Sequence, residues 1–404
     1  MKKIVLDNGI KFLYEYKEGD LTSFCIGFNG GAIEEEGFPK GTAHAAEHLV
    51  FKETQKRKEI EINRLCDDIF AFNNAMTNYP YVIYYGTSLM DDFERGIELY
   101  SDIVREPLLS KNGFDEEMCV IKQELKDWND DISLFCEDEL LYNSFDKRRI
   151  KYPIIGTDES IKYIDNDTVR LFYDKFYAPS NCVISVVSSM CFDEVYRCID
   201  KYFGTWHKDF GGLKETFYEM NNSGIYECRR NTEGAKIQIL YPIHYLSDDE
   251  ITALQLFNTA FGEGTSSILY DEVRTKKGLV YDISSSVKNE RGIKFLSVNA
   301  GTSLDKIDTV LNIIKENIDS IEKLRDDFSK NNIIKLYKRM NRKKSLSAEK
   351  SIILSNMSAT YELMYGDGEK FYNEYNFKES MDSDKIINTA VKILKEPSIE
   401  IIKP

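Results

Sequence analysis

The sequence predicts an α+β protein made of two domains built on one plan. Two observations carry this expectation. An order of strand, helix, helix, strand, strand and helix occurs once in each half. A Gly-containing polar stretch, Asp209-Phe210-Gly211-Gly212-Leu213-Lys214, lies between the halves. The boundary falls near residue 215, giving domains 1–215 and 216–404.

The elements follow in order. Lys3–Leu6 and Ile10–Tyr16 are apolar runs split by Asp7-Asn8-Gly9, a strong hairpin turn signal. A strand is expected over Ser23–Asn29, then helices over Thr42–Lys52 and Glu59–Ile69. Strands at Phe72–Asn78 and Val82–Thr87 precede a long helix, Asp91–Val104. In the second half, a strand at Lys236–Tyr241 leads to a helix at Asp248–Phe261, with Asp248 as its N-cap. Another helix is expected at Ser266–Thr275, then strands at Leu279–Val287 and Ile293–Asn299. An amphipathic helix at Leu304–Leu324 completes the repeat. The tail reads as helices at Ala348–Met364 and Asp384–Leu394 and a strand at Ser398–Ile402.

Composition narrows the function. The chain has 404 residues, 42% of them hydrophobic and 30% charged, as in globular proteins with sizeable cores. A net charge of -15 argues against a nucleic-acid binder and against a polybasic membrane anchor. After Met1-Lys2-Lys3 comes an apolar run far shorter than a signal-peptide core, and no run is long enough to span a membrane. The expected address is the cytoplasm. The eight cysteines form no CxxC pair and read as idle or buried thiols rather than a thiolate zinc site.

The chemistry concentrates in one segment. Of only four histidines, two stand in Gly41-Thr42-Ala43-His44-Ala45-Ala46-Glu47-His48-Leu49, which reads His-x-x-Glu-His. On a helix, residues four apart share a face, so His44 and His48 present two imidazoles to one ion, with Glu47 beside them. His207 and His244 read as structural. A third ligand is expected on the acidic helix around Phe114–Leu125. There Glu117 and Glu124 lie two turns apart on one face, and spacing alone does not choose between them.

These residues resemble the pitrilysin and mitochondrial processing peptidase family of inverted-motif zinc peptidases, in its short bacterial form. The family's glutamate ligand follows the second histidine by 76 residues, as Glu124 follows His48 (124 − 48 = 76). The resemblance therefore implies His44, His48 and Glu124 as ligands of one zinc ion per chain. It implies Glu47 as general base for zinc-bound water, and Glu117 as a supporting catalytic acid. Further matches are Asn73-Asn74-Ala75-Met76-Thr77, Gly156-Thr157, Tyr177-Ala178-Pro179-Ser180-Asn181 and Arg274 to Gly278-Leu279-Val280-Tyr281. Departures stand at Ala45-Ala46, Glu53 and Val187-Ser188-Ser189, none of them a ligand or base position.

The resemblance implies a mostly antiparallel sheet in each domain with helices packed on one face, the pair forming half of a clamshell. The first domain would be catalytic and the second an inert copy supplying substrate contacts. The implied activity is endopeptidase hydrolysis of peptides or unfolded segments in an enclosed chamber. Substrate would add as an extra strand near Asn74 and Ala75 and meet Arg274 and Tyr281. One half-shell implies a homodimer, or a heterodimer with an inactive relative. The rival reading is a non-catalytic subunit of the same fold. General peptide degradation and dedicated maturation of one protein are not separable at this level.

Overall fold

The computed structural model describes residues 1–404 as two compact units. The first comprises Met1–Leu125, Pro153–Glu215 and Ser345–Asn373. The second comprises Lys126–Tyr152, Thr216–Lys344 and Glu374–Pro404.

The first half of the chain runs β1 (Lys2–Val5), β2 (Lys11–Tyr16), β3 (Leu21–Phe28), α1 (Thr42–Leu49), α2 (Glu59–Ile69), β4 (Phe70–Thr77), β5 (Val82–Leu89) and α3 (Phe93–Arg105). It continues with α4 (Phe114–Asp130), α5 (Ile132–Ser144), α6 (Asn166–Phe176), β6 (Cys182–Ser188) and α7 (Phe192–Phe203). The second half runs β7 (Gly224–Arg229), β8 (Ala235–Pro242), α8 (Asp248–Phe261), β9 (Val280–Glu290), β10 (Ile293–Thr302) and α9 (Ile307–Asp319). It ends with α10 (Lys330–Ala348), α11 (Ser351–Tyr365), α12 (Lys370–Asn373), α13 (Ser383–Ile393) and β11 (Ser398–Lys403).

The sheet of the first unit has the order β1-β2-β6-β3-β5-β4, and that of the second β7-β11-β8-β10-β9. Only β2–β6 and β7–β11 pair in parallel; every other pair is antiparallel. The duplication extends to register. Ile184 of β6 lies between Phe12 and Ile26, as Ile399 of β11 lies between Ile225 and Ile239.

The repeat's own helices pack on one face of each sheet, and the other face takes a helix from the opposite half of the sequence. Alternation puts Leu13, Cys25, Ile83 and Val183 on the second face of the first sheet, where Ala359 and Leu363 of α11 cover them. The second sheet receives α5, whose Asn143 donates to Glu400 and whose Ser133 carbonyl accepts from Gln238. The units therefore do not follow the halves of the sequence. Helices α4 and α10 each contribute to both.

Three local expectations change. Ser247, not Asp248, caps α8; its hydroxyl accepts from the Glu250 amide while the Glu250 carboxylate accepts from the Ser247 amide. The helix expected over Ser266–Thr275 is a short π-helical turn at Tyr270–Thr275. The helix expected over Leu304–Leu324 is α9 flanked by 3-10 turns. It stops where the Ser320 amide turns back onto the Glu316 and Asn317 carbonyls.

Candidate metal centre

The centre is built on α1. Gly41 precedes the helix at φ 96°, a left-handed value that glycine adopts without strain. The buried Glu35 carboxylate accepts the amides of Gly41 (3.0 Å) and Ala43 (2.9 Å). This places negative charge at the helix N-terminus and satisfies donors the helix cannot. Ala43, Ala45 and Ala46 are fully buried, so the helix backbone packs close to its neighbours.

The two histidine rings project from one side of α1, and their Nε2 atoms converge to 3.3 Å. Helix α4 brings Glu124 to them: its Oε2 lies 3.4 Å from His48 Nε2 and 3.8 Å from His44 Nε2. A tetrahedral ion with bonds of about 2.0–2.2 Å to nitrogen and oxygen separates its donors by about 3.3–3.6 Å. Two edges of the triangle fall in this range and the third, Glu124 to His44, is slightly longer, an arrangement that can close on such an ion with a fourth direction left for another ligand.

Around this triangle stands a chain of charges. His48 Nδ1 lies 2.7 Å from Glu117 Oε1, and Lys52 Nζ lies 3.0 Å from Glu117 Oε2 and 2.9 Å from Glu59 Oε1. Glu117 is thus a partner of the candidate ligand His48 rather than a member of the triangle. Hydrogen bonding to His48 foremost, opposed by burial and helped by Lys52, holds its carboxyl down at about 2. Burial lowers His48, but the Glu117 hydrogen bond and surrounding carboxylates outweigh it and leave the ring above its ordinary value. Burial, then the charge of His48, takes His44 down to about 3, so its ring stays neutral and offers a lone pair. His44 Nδ1 is buried without a hydrogen-bond partner, so the polar contacts of this ring are all at Nε2.

Glu47 is buried, and Thr77 Oγ1 at the end of β4 donates to its Oε2 at 2.7 Å. Burial raises its carboxyl above the usual range, against the pull of that bond. A carboxylate short of solvent, whose proton affinity burial has raised, is a stronger proton acceptor than a surface one.

The remaining expected site residues lie elsewhere. Asn74 and Ala75 are on β4, the edge of the first sheet, opposite Tyr85 and Tyr84. The Asn74 side chain accepts from the Ala75 amide at 2.9 Å. Arg274 and Tyr281 belong to the second unit. Arg274 donates to the Tyr270 hydroxyl (2.7 Å), and Tyr281 is 66% exposed at the start of β9. His207 is exposed; His244 stacks on Tyr218, ring centroids 5.4 Å apart. Sequence reasoning missed Glu35, Lys52 and Thr77. Lys52 carried a usable signal, since it follows His48 by four, although it lies in the turn just past the end of α1.

Two family profiles match the chain. One, described as insulinase (peptidase family M16), covers residues 11–158; the other, described as the peptidase M16 inactive domain, covers residues 163–336. Among curated proteins, an uncharacterized zinc protease of Streptomyces coelicolor is 25% identical over 419 residues, covering 100% of this chain and 90% of its own. One of Bacillus subtilis is 23% identical over 410 residues, covering 100% and 98%. Among solved structures, a protease from Helicobacter pylori superposes with a TM-score of 0.88 at 17% identity, covering 100% of this chain and 99% of the other. A peptidase M16 inactive domain from Pseudomonas fluorescens superposes at 0.87 with 14% identity, covering 100% and 97%. At these identities the structural matches speak for the fold. No helix is long and apolar enough to cross a membrane.

Proposed function

The chain belongs to peptidase family M16, and from that premise we propose that it is a zinc-dependent endopeptidase acting on peptides or unfolded segments in an enclosed chamber. The observation that carries this reading is the triangle of His44 Nε2, His48 Nε2 and Glu124 Oε2, whose edges of 3.3–3.8 Å lie close to those a tetrahedral ion requires.

What zinc supplies when bound is Lewis acidity, which acidifies water and polarises a peptide carbonyl. The chain's own residues do the rest. Glu47 takes a proton from the attacking water and returns it to the departing amine nitrogen. Thr77 holds the Glu47 carboxylate in place through a hydrogen bond to its Oε2. Glu117 and Lys52 fix the His48 ring so that Nε2 points at the ion. Substrate adds as a strand along β4, whose outer edge is unpaired. The Ala75 amide, now bonded to Asn74, is then released to a substrate carbonyl. The active species is a homodimer, or a heterodimer with an inactive relative, in which Arg274 and Tyr281 reach the partner's centre and grip the peptide near the scissile bond.

The test pairs zinc content with turnover of a peptide library by the wild type and by Glu47→Gln. The variant is expected to bind one zinc per chain yet lose at least about a thousandfold in rate, a loss typical of a missing base. Equal turnover overturns the mechanism. Absence of stoichiometric zinc favours a non-catalytic subunit. Full activity from a species that sediments as a monomer removes the dimer.

A further inference from the structure

The internal duplication is incomplete in one place. In the first unit, α7 lies over the row Phe12–Ile184–Ile26. Phe192 stacks on Phe12 with centroids 6.1 Å apart and meets Tyr14 edge-on at 5.5 Å, and Tyr196 lies 6.4 Å from Phe12. All three row residues are fully buried. The corresponding row in the second unit is Ile225–Ile399–Ile239, and there Ile225 is 60% exposed. In place of a helix is a groove of about 1260 Å³, with Ile225, Ile399 and Tyr241 on its sheet side.

The far wall of the groove repeats the pattern. Buried positions align α9 with α3: Phe93 with Ile307, Gly96 with Val310, Tyr100 with Ile314. On that alignment Ile97 and Val104, fully buried in the first unit, correspond to Leu311 and Ile318, which are only half-buried and line the groove. Glu94, which accepts from Lys201 (2.7 Å) and the Tyr202 hydroxyl (3.1 Å) of α7, corresponds to Asp308. Arg105, which donates to the Tyr202 carbonyl, corresponds to Asp319. Asp308 and Asp319 are both exposed on the rim.

We infer that this groove is a docking site for an amphipathic helix of a partner protein, of α7's length and apolar spacing, with basic residues facing the Asp308 and Asp319 ends of α9. The first unit shows what such a surface takes: a helix with buried residues at Val195, Cys198, Ile199 and Phe203. The acid at Asp319, where the first unit has an arginine, selects a cation rather than a bare helix C-terminus. A second copy of this chain is a poor occupant, because its α7 already covers its own sheet. The inference makes no use of the metal centre.

The probe is a fluorescein-labelled synthetic peptide carrying residues 192–204 with Cys198→Ala and Asp200→Lys, which adds a cation beside Lys201 at the end that meets α3 in the first unit, titrated with the full chain by anisotropy. Saturable binding is expected, weakened at least tenfold by Ile225→Glu and severalfold by Asp308→Lys. Both positions are exposed, and matching thermal unfolding of the variants and wild type is the check on folding. No saturation by about 1 mM peptide, a weak-binding limit near 4 kcal/mol, overturns the proposal. So does equal affinity for Ile225→Glu. If that variant instead turns a dimer into a monomer in sedimentation, the groove is an interface between copies and the partner helix is refuted.

Discussion

His48 is held from behind by the Glu117 carboxylate, which Lys52 holds in turn from its other oxygen. Removing the carboxylate's charge loosens the ligand without touching the donor triangle. Glu117→Gln is therefore expected to weaken zinc affinity by roughly 10–100-fold, measured by chelator competition, with the fold intact. The same group sets a pH signature in the metal-free protein. Its folded carboxyl sits at about 2 against 4.5 unfolded, so its stabilising contribution is present above about 4.5 and lost as pH falls through about 2. Urea unfolding of metal-free wild type and Glu117→Gln should differ at pH 5 and converge toward pH 2.5; a constant gap contradicts the assignment. At this scale the motif was legible because His44, Glu47 and His48 share one helical turn. Glu35 and Thr77 were not, because their roles arise only when other segments fold against α1.

At the scale of elements, helix α1 and strand β11 show opposite ways of placing a carboxylate. Glu35 is buried but ties up two amides. Glu400, in the middle of β11, is 1% exposed and takes one donor, Asn143, at 2.9 Å. Burial, against that bond, pushes its carboxyl up to about 7. Its folded value lies above the unfolded 4.5, so the folded chain holds the proton more tightly. That contribution is full below about 4.5 and is lost as pH rises through about 7. The loss is on the order of 3 kcal/mol. Glu400→Gln is expected to flatten stability between pH 5 and 8, and a wild type whose stability rises over that range contradicts the argument. Strand β11 itself was readable from its alternation. Helix α5, which covers Glu400, was not assigned: its apolar residues Ile132, Leu134, Phe135, Leu140 and Leu141 do not form one clean stripe.

For the whole molecule, the repeat was legible because hydrophobic period and turn residues recur in each half. The exchange of helices was not, because an apolar stripe records that a face is buried and not against which partner. The consequence is testable with fragments. Residues 1–215 contain every member of the candidate metal centre but lack α11, so Leu13, Cys25, Ile83 and Val183 lose the cover of Ala359 and Leu363. They also lose the salt bridges from Lys3 and Lys11 to the buried Glu362. A bare apolar sheet face of this kind drives association rather than folding. The fragment alone is expected to aggregate or to unfold without cooperativity, and to hold zinc poorly, since the end of α4 and all of α5 are also left without the remainder of the second unit. Co-expression with residues 216–404 restores both the missing helix and the second sheet, and a soluble complex with a single sharp thermal transition is expected. A fragment 1–215 that folds alone and binds zinc as the full chain does would mean that the exchanged helix is dispensable, and that each half carries its own complete core.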